Sequence, residues 1–255
     1  MSRLFVLALC LGLAAAAAPA AAAGHSNALW HVVHDLCVTD ARLTGLPAPC
    51  LAVNRRGGYA VLKDLRGRTQ VLLIPTKRVT GIESPELLGK GAPNYWRMAW
   101  RSRMFFEHAV GEAVPRQDIG LAINSTFGRT QDQLHIHVDC VRRSVKAALA
   151  AHEAEIGSRW RPFPVELAGE RYEARRLDGG ELGGRDPFKL LAEEPAARAD
   201  MGAWTLAVIG ARFADGSPGF FLLAAEGGVP ANPEGASEAL LDHDCAVLRA
   251  DAAAG

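Results

Sequence analysis

The sequence predicts an α+β fold, on three observations. Residues 59–65 and 70–75 are apolar-rich runs separated by Arg66-Gly67-Arg68-Thr69, the grammar of a β-hairpin. Ile119 to Asn124 and Gln133 to Arg142 read as two more strands joined by a polar turn, so they should pair as neighbours. Between these pairs, Asn94 is placed to cap an aromatic-rich helix. Antiparallel strands with helices packed beside them make the class α+β.

Arg3 is the only charge before His25, and Leu4 to Ala18 is unbroken apolar sequence. Small residues follow at Ala20 to Gly24, so residues 1–23 read as a cleaved signal peptide or as an uncleaved N-terminal membrane anchor. Both readings stay open, and both put the rest of the chain outside the cytoplasm. Leu9 before Cys10 argues against a lipoprotein cleavage site.

An early helix carries Trp30 and Val33, with His31 and His34 as surface groups. Pro75 ends the first hairpin because it cannot donate to a ladder. Thr76 to Pro93, rich in glycine and proline, reads as loop. The helix capped by Asn94 runs through Tyr95, Trp96, Met98, Ala99 and Phe106 and should stop near Gly111. Ser144 to Ile156 reads as a helix, Phe163 to Leu177 as holding a strand, and Pro187 to Glu194 as a short helix. Ala203 to Arg212 and Gly219 to Ala225 suggest a second hairpin around Asp215-Gly216, which raises the idea of a degenerate repeat of the first half. The chain thus divides into a catalytic part at 24–145, a C-terminal α+β part at 146–250 packed on it, and a tail at 251–255 expected to fray.

Twenty-eight basic and 28 acidic side chains balance to zero net charge, with 49% apolar residues, as in a globular domain. That balance excludes a disordered charged tail and argues against nucleic acid as a partner. Of the five cysteines, Cys37, Cys50, Cys140 and Cys245 follow the leader, and an oxidising compartment allows two disulfides. Cys37 and Cys50 flank a short proline-containing loop and make the first pair, leaving Cys140 with Cys245. Four small buried hydrophobes is the plain alternative. No CxxC pair supports a zinc site.

Chemistry concentrates at 124–140. On a strand, Gln133, His135, His137 and Asp139 share one face while Leu134, Ile136, Val138 and Cys140 point inward. Two imidazoles beside a carboxylate can serve as nucleophile, acid and orienter. The preceding turn offers backbone N–H groups and the side chains of Asn124, Ser125 and Arg129 to a phosphate. A metal held by the His-x-His pair and an inert solvated face are the competing readings. The remaining histidines, His108, His152 and His243, read as structural or solvated.

The run GRTQDQLHIHVDC resembles the histidine-triad superfamily, in which a glycine-glutamine turn precedes His-x-His-x-His on a strand. NALWHVVHDLC, GYAVLKDLRG, LLIPTKRVTGIESPELL, PNYWRMAWRSR and INSTFGRTQDQLHIH resemble, more closely, the bacterial CDP-diacylglycerol pyrophosphatase family. The resemblance implies a histidine-triad-like antiparallel sheet and hydrolysis of CDP-diacylglycerol to CMP and phosphatidate. It also implies a membrane-surface partner and an inner-membrane location facing the periplasm, or secretion to the periplasm if the leader is cleaved. It implies no cofactor and no metal. Aligning Gln131 with the superfamily's glutamine makes His135 the first histidine and His137 the nucleophile. Asp139 stands where the third histidine belongs, which leaves its role open. A register shifted by two would make His135 the nucleophile. Asn124, Gln131, Gln133 and Lys77 join Ser125 and Arg129 as candidate substrate contacts; Trp96, Trp100 and Phe105 are core residues or acceptors of acyl chains. Hydrolysis or nucleotidyl transfer on soluble dinucleotides, and a non-catalytic periplasmic binding protein, are the alternatives.

Overall fold

The computed structural model describes residues 26–251 and shows mixed α and β structure built on one ten-stranded antiparallel sheet. The signal or anchor segment at 1–23 and the tail beyond residue 251 lie outside the described residues. Helix α1 (Ala28–His31), a π-helical stretch (Val32–Val38) and α2 (Thr39–Leu43) follow one another without a break. The strands are β1 (Ala52–Asn54), β2 (Tyr59–Lys63), β3 (Val71–Pro75), β4 (Ile119–Ile123), β5 (Ile136–Val141), β6 (Arg161–Pro162), β7 (Glu173–Asp178), β8 (Trp204–Arg212), β9 (Pro218–Glu226) and β10 (Leu241–Asp242). Their order is β1-β2-β3-β5-β4-β8-β9-β7-β6. Strand β10 pairs with the far end of β5, at Val141 and Cys140.

Both hairpins legible in the sequence form, β2–β3 and β8–β9, and β4 pairs with β5 as expected. Helix α3 (Tyr95–Val110) begins where Asn94 accepts a hydrogen bond from the Arg97 N–H, and ends at Gly111, whose φ of 94° favours glycine. Strand β5 starts at Ile136, three residues later than the apolar pattern suggests. Leu73 of β3 faces Ile136, and β3 ends at Pro75, so the residues before Ile136 soon run out of ladder partners. The C-terminal segment differs more. Helix α4 (Arg143–Ala151) gives way to a 3-10 turn (Glu153–Glu155), β7 starts only at Glu173, and α5 (Pro187–Leu191) and α6 (Pro195–Ala199) are single short turns. Helix α7 (Ala246–Asp251) is the last element of the described residues.

Strand alternation divides the core between the two sheet faces. One face carries Val71, Val138, Leu121 and Val208, covered by α3 with Trp96 and Trp100 fully buried. The opposite face carries two separate apolar clusters. At one end Val33, Cys37 and Val38 of the first helical segment lie on Ala60, Leu72 and Ile74. Toward the other end Val145 and Leu149 of α4 lie on Val141, Ala207 and Ile209. Between them is a polar gap centred on His137, whose strand neighbours are Leu72 and Ala122. A buried gap of this kind, left open between two cores, is where binding chemistry can sit. Trp96 and Trp100 are on the other face, so they are core residues and do not meet a ligand in the gap.

Two disulfides stitch this arrangement, Cys37–Cys50 and Cys140–Cys245. No helix among the described residues is long and apolar enough to cross a membrane.

Candidate active site

The gap is a cleft of about 470 Å³ whose polar floor is formed by His135, His137, Asn124, Gln131, Asp64 and Glu238. His137 reaches it because β5 alternates: Ile136, Val138 and Cys140 enter the core under α3, turning His137 and Asp139 to the other face. His137 is 4% exposed, and neither ring nitrogen has a hydrogen-bond partner among the described residues. Its Nδ1 lies 3.5 Å from Glu238 Oε1 and 3.9 Å from Asp64 Oδ2. Burial pushes the imidazole pKa down to about 4, against the pull of Glu238, so His137 is neutral at physiological pH.

His135 stands edge-on to His137, with ring centroids 4.9 Å apart. Its Nδ1–H donates to the Gln133 carbonyl oxygen at 2.7 Å. That bond fixes the tautomer and leaves Nε2 with its lone pair. Burial lowers the pKa of His135 as well.

The two carboxylates come from distant parts of the chain. Asp64 follows β2, and Glu238 lies in the 3-10 turn Ser237–Leu240 that leads into β10. Gln70 bridges them, donating from Nε2 to Asp64 and to Glu238 Oε1. Asn124 holds Glu238 twice, accepting from its backbone N–H at 3.1 Å and donating to Oε2 at 3.2 Å. Asp139 lies fully buried behind His137. It accepts hydrogen bonds from Thr69 Oγ1 at 2.7 Å, its neighbour Cys140 N at 2.9 Å and His243 Nδ1 at 2.8 Å. The bond to Asp139 raises the pKa of His243 above its ordinary value, and His243 Nε2 lies 3.5 Å from Glu238 Oε1. His137 and His243 therefore flank the Glu238 carboxylate, and the hydrogen bond from His243 to Asp139 anchors the far end of the cluster.

Not every residue singled out from the sequence meets the cleft. Asn124, Gln131, His135 and His137 line it, with Gln131 also accepting from the Leu29 N–H. Gln133 faces away. Its amide donates to the carbonyls of Pro75 and Lys77 and accepts from Val79 N, pinning the loop after β3. Replacing Gln133 by leucine is expected to strand those backbone groups and cost about 2–4 kcal/mol. Thermal denaturation measures it; an unchanged midpoint would contradict this role. Arg129 is buried between Glu83, at 2.6 Å, and Asp132, at 3.1 Å. Ser125 Oγ accepts from Phe127 N, and Lys77 pairs with Glu86 at the surface. These three shape the turn and the loop that border the cleft. Gly128 is required there, since a Cβ would come within 2.6 Å of the Glu234 carbonyl.

Sequence reasoning missed Asp64, Gln70, Glu238 and His243. His243 is half-buried against Asp139 rather than solvated. The cysteine pairing carried the signal, because a Cys140–Cys245 bridge must bring residue 243 alongside Asp139. Asp64, His137 and Glu238 could also hold a divalent cation, as their ligand atoms lie within 4.8 Å of one another. The second such cluster, Asp139 with Cys140 and Cys245, has its sulfurs committed to the disulfide.

The arrangement provides a neutral, buried imidazole with two carboxylates within 4 Å of one nitrogen, suited to nucleophilic attack on an electrophilic phosphorus. The family model described as CDP-diacylglycerol pyrophosphatase matches residues 24–249. A CDP-diacylglycerol pyrophosphatase of Yersinia pestis is 43% identical over 225 residues, 88% of this chain and 86% of that protein. A match of this extent, spanning both sides of the cleft, assigns the chain to the CDP-diacylglycerol pyrophosphatase family.

Proposed function

We propose that the protein hydrolyses CDP-diacylglycerol to CMP and phosphatidate through a cytidylyl-histidine on His137. The observation that carries this reading is the His137 ring, neutral and buried, with Glu238 and Asp64 beside Nδ1. Those carboxylates favour the tautomer with the proton on Nδ1, which frees the Nε2 lone pair for the cleft. In the first step Nε2 bonds to the phosphorus that carries cytidine, and the bond from that phosphorus to the bridging oxygen breaks. The electron pair leaves with phosphatidate. The imidazole is then cationic, and Glu238 and Asp64 stabilise it at the moment its charge appears. In the second step water attacks the same phosphorus, the N–P bond breaks, and CMP leaves with His137 neutral again.

His135, whose Nδ1–H is committed to a carbonyl, offers the lone pair of Nε2 to the cleft, where it accepts the proton that the attacking water gives up in the second step. Gln131 and Asn124 border the same space. Asp139 takes the third triad position, and its function is indirect: it holds His243 against Glu238. This reading relates the sheet to the histidine-triad fold, with His243 supplying from the C-terminal part the imidazole that the motif strand lacks. Replacing Asp139 by asparagine is expected to lower kcat about 10–100-fold with little change in KM. A loss confined to KM would contradict a positioning role. The apolar run at 4–18 and the two disulfides support a catalytic domain on the periplasmic side of the inner membrane.

Product analysis with CDP-diacylglycerol across pH tests the reading. CMP and phosphatidate should appear in equal amounts, and chelation should leave the rate unchanged. Because His137 must be unprotonated, kcat/KM should fall on acidification only near the His137 pKa of about 4. Absence of CMP would overturn the substrate. An acid limb near the ordinary histidine value of about 6.5 would overturn the buried neutral nucleophile. Activity lost to a chelator and restored by a divalent cation would convert Asp64, His137 and Glu238 into metal ligands.

A further inference from the structure

The apolar end of the cleft continues onto the protein surface. Leu29 and Val32 line the cleft from the first helical segment, and Leu36 stands 52% exposed farther along it. Leu43, Leu46 and Leu51 follow, all exposed, and the Cys37–Cys50 bridge ties their loop back to the helix. Leu65 in the β2–β3 hairpin is wholly exposed and lines the same cleft. Five of the eight large apolar side chains exposed among the described residues therefore fall within residues 36–65. Leu65 is at the cleft itself, and the other four lie on the disulfide-tied segment 36–51, whose Pro49 also lines the cleft; scattered leucines on a surface are ordinary, whereas this concentration beside a cleft points to a docking surface.

Charge indicates what docks. Residues 29–68 hold six Lys or Arg and three Asp or Glu, a net of +3 in a chain whose total is zero. Arg42, Arg55 and Arg56 gather with Val38 and Val53 around a second cavity of about 390 Å³. A second copy of the chain would bring this positive patch against itself in a two-fold dimer. An anionic bilayer matches both features, taking leucines into its acyl region and guanidiniums at its phosphates.

We propose that this leucine and arginine rim seats the catalytic domain on an anionic membrane, so that the cleft opens directly onto lipid. Resting on the function proposed above, this geometry lets the cytidine diphosphate enter the cleft while both acyl chains stay in the bilayer. The rim is separate from the N-terminal apolar run, so it governs how the domain is oriented and not only whether it is tethered.

The test uses the full chain with vesicles of phosphatidylcholine and phosphatidylglycerol containing a phospholipid that is photoactivatable in its acyl chain. Peptide mapping should find label on the segments holding Leu36 to Leu51 and Leu65, and Arg42→Glu, Arg55→Glu and Arg56→Glu together should remove most of it. Label confined to residues 1–23, or placed around Met104 and Val165, would overturn the proposal. In a second arm, Leu36→Ser, Leu43→Ser and Leu46→Ser together should slow hydrolysis of vesicle-embedded CDP-diacylglycerol about tenfold or more. Hydrolysis of a water-soluble short-chain CDP-diacylglycerol should be unchanged, and equal loss on both substrates would overturn the proposal. Labelling needs no turnover. An inactive chain that labels at the rim would refute the proposed reaction alone, and an active chain that does not would refute the rim alone.

Discussion

Replacing His137 by alanine is expected to lower kcat for CMP release by about 10³-fold or more, since on the proposed mechanism it removes the nucleophile and not a contributing contact. The variant should still fold. His137 lies in the polar gap between the two apolar clusters of its sheet face, so its loss leaves the Val138 and Cys140 side of β5 intact. Any residual rate should come from the binding geometry that the rest of the cleft retains. The control is His135→Ala, which should also be slow but should not remove the covalent step. Near-normal turnover by His137→Ala, with severe loss in His135→Ala, would move the nucleophile to the shifted register.

The second large effect is on stability. Cys140 and Cys245 are 105 residues apart in sequence. Closing a loop of that length restricts the unfolded chain by about 4–5 kcal/mol, against about 3 kcal/mol for a bridge spanning 13 residues such as Cys37–Cys50. Replacing both Cys140 and Cys245 by serine should therefore lower Tm by roughly 10–20 °C for a domain of this size. Activity should fall further than stability alone explains, because His243 is two residues from Cys245 and its bond to Asp139 depends on that anchor. Calorimetry with parallel rate measurements at low temperature checks both parts. A midpoint lowered by less than about 3 °C, with full activity, would mean that β10 holds the C-terminal segment in place without the bridge.

Much of the fold could be read from local pattern. The β2–β3 and β8–β9 hairpins, α3 between Asn94 and Gly111, and the β4–β5 pair each follow from residues close together in sequence. Segments whose structure is decided by tertiary contact were less legible. The start of β5 depends on where β3 ends, and the late onset of β7 at Glu173 coincides with Pro162, the end of its partner β6. The site shows the same division. His135 and His137 are neighbours in a periodic strand, so their spacing exposes them. Asp64 and Gln70 come from the β2–β3 hairpin and Glu238 and His243 from a segment far along the chain, and only the topology brings them together. Arg129 and Gln133 looked like ligand-binding groups because they are polar residues in a turn beside histidines. The structure uses their hydrogen bonds to hold that turn and the loop after β3.

The most direct test of the central claim is to trap the covalent enzyme. The full chain is mixed briefly with CDP-diacylglycerol, quenched in alkali, where a phosphorus–nitrogen bond to histidine survives better than in acid, and mapped by peptide mass spectrometry. The account predicts one cytidylyl group on the peptide containing residues 135–139, with fragmentation placing it on His137. Adduct on His135, or steady release of CMP with no nucleotide on the protein at any quench time, would contradict it.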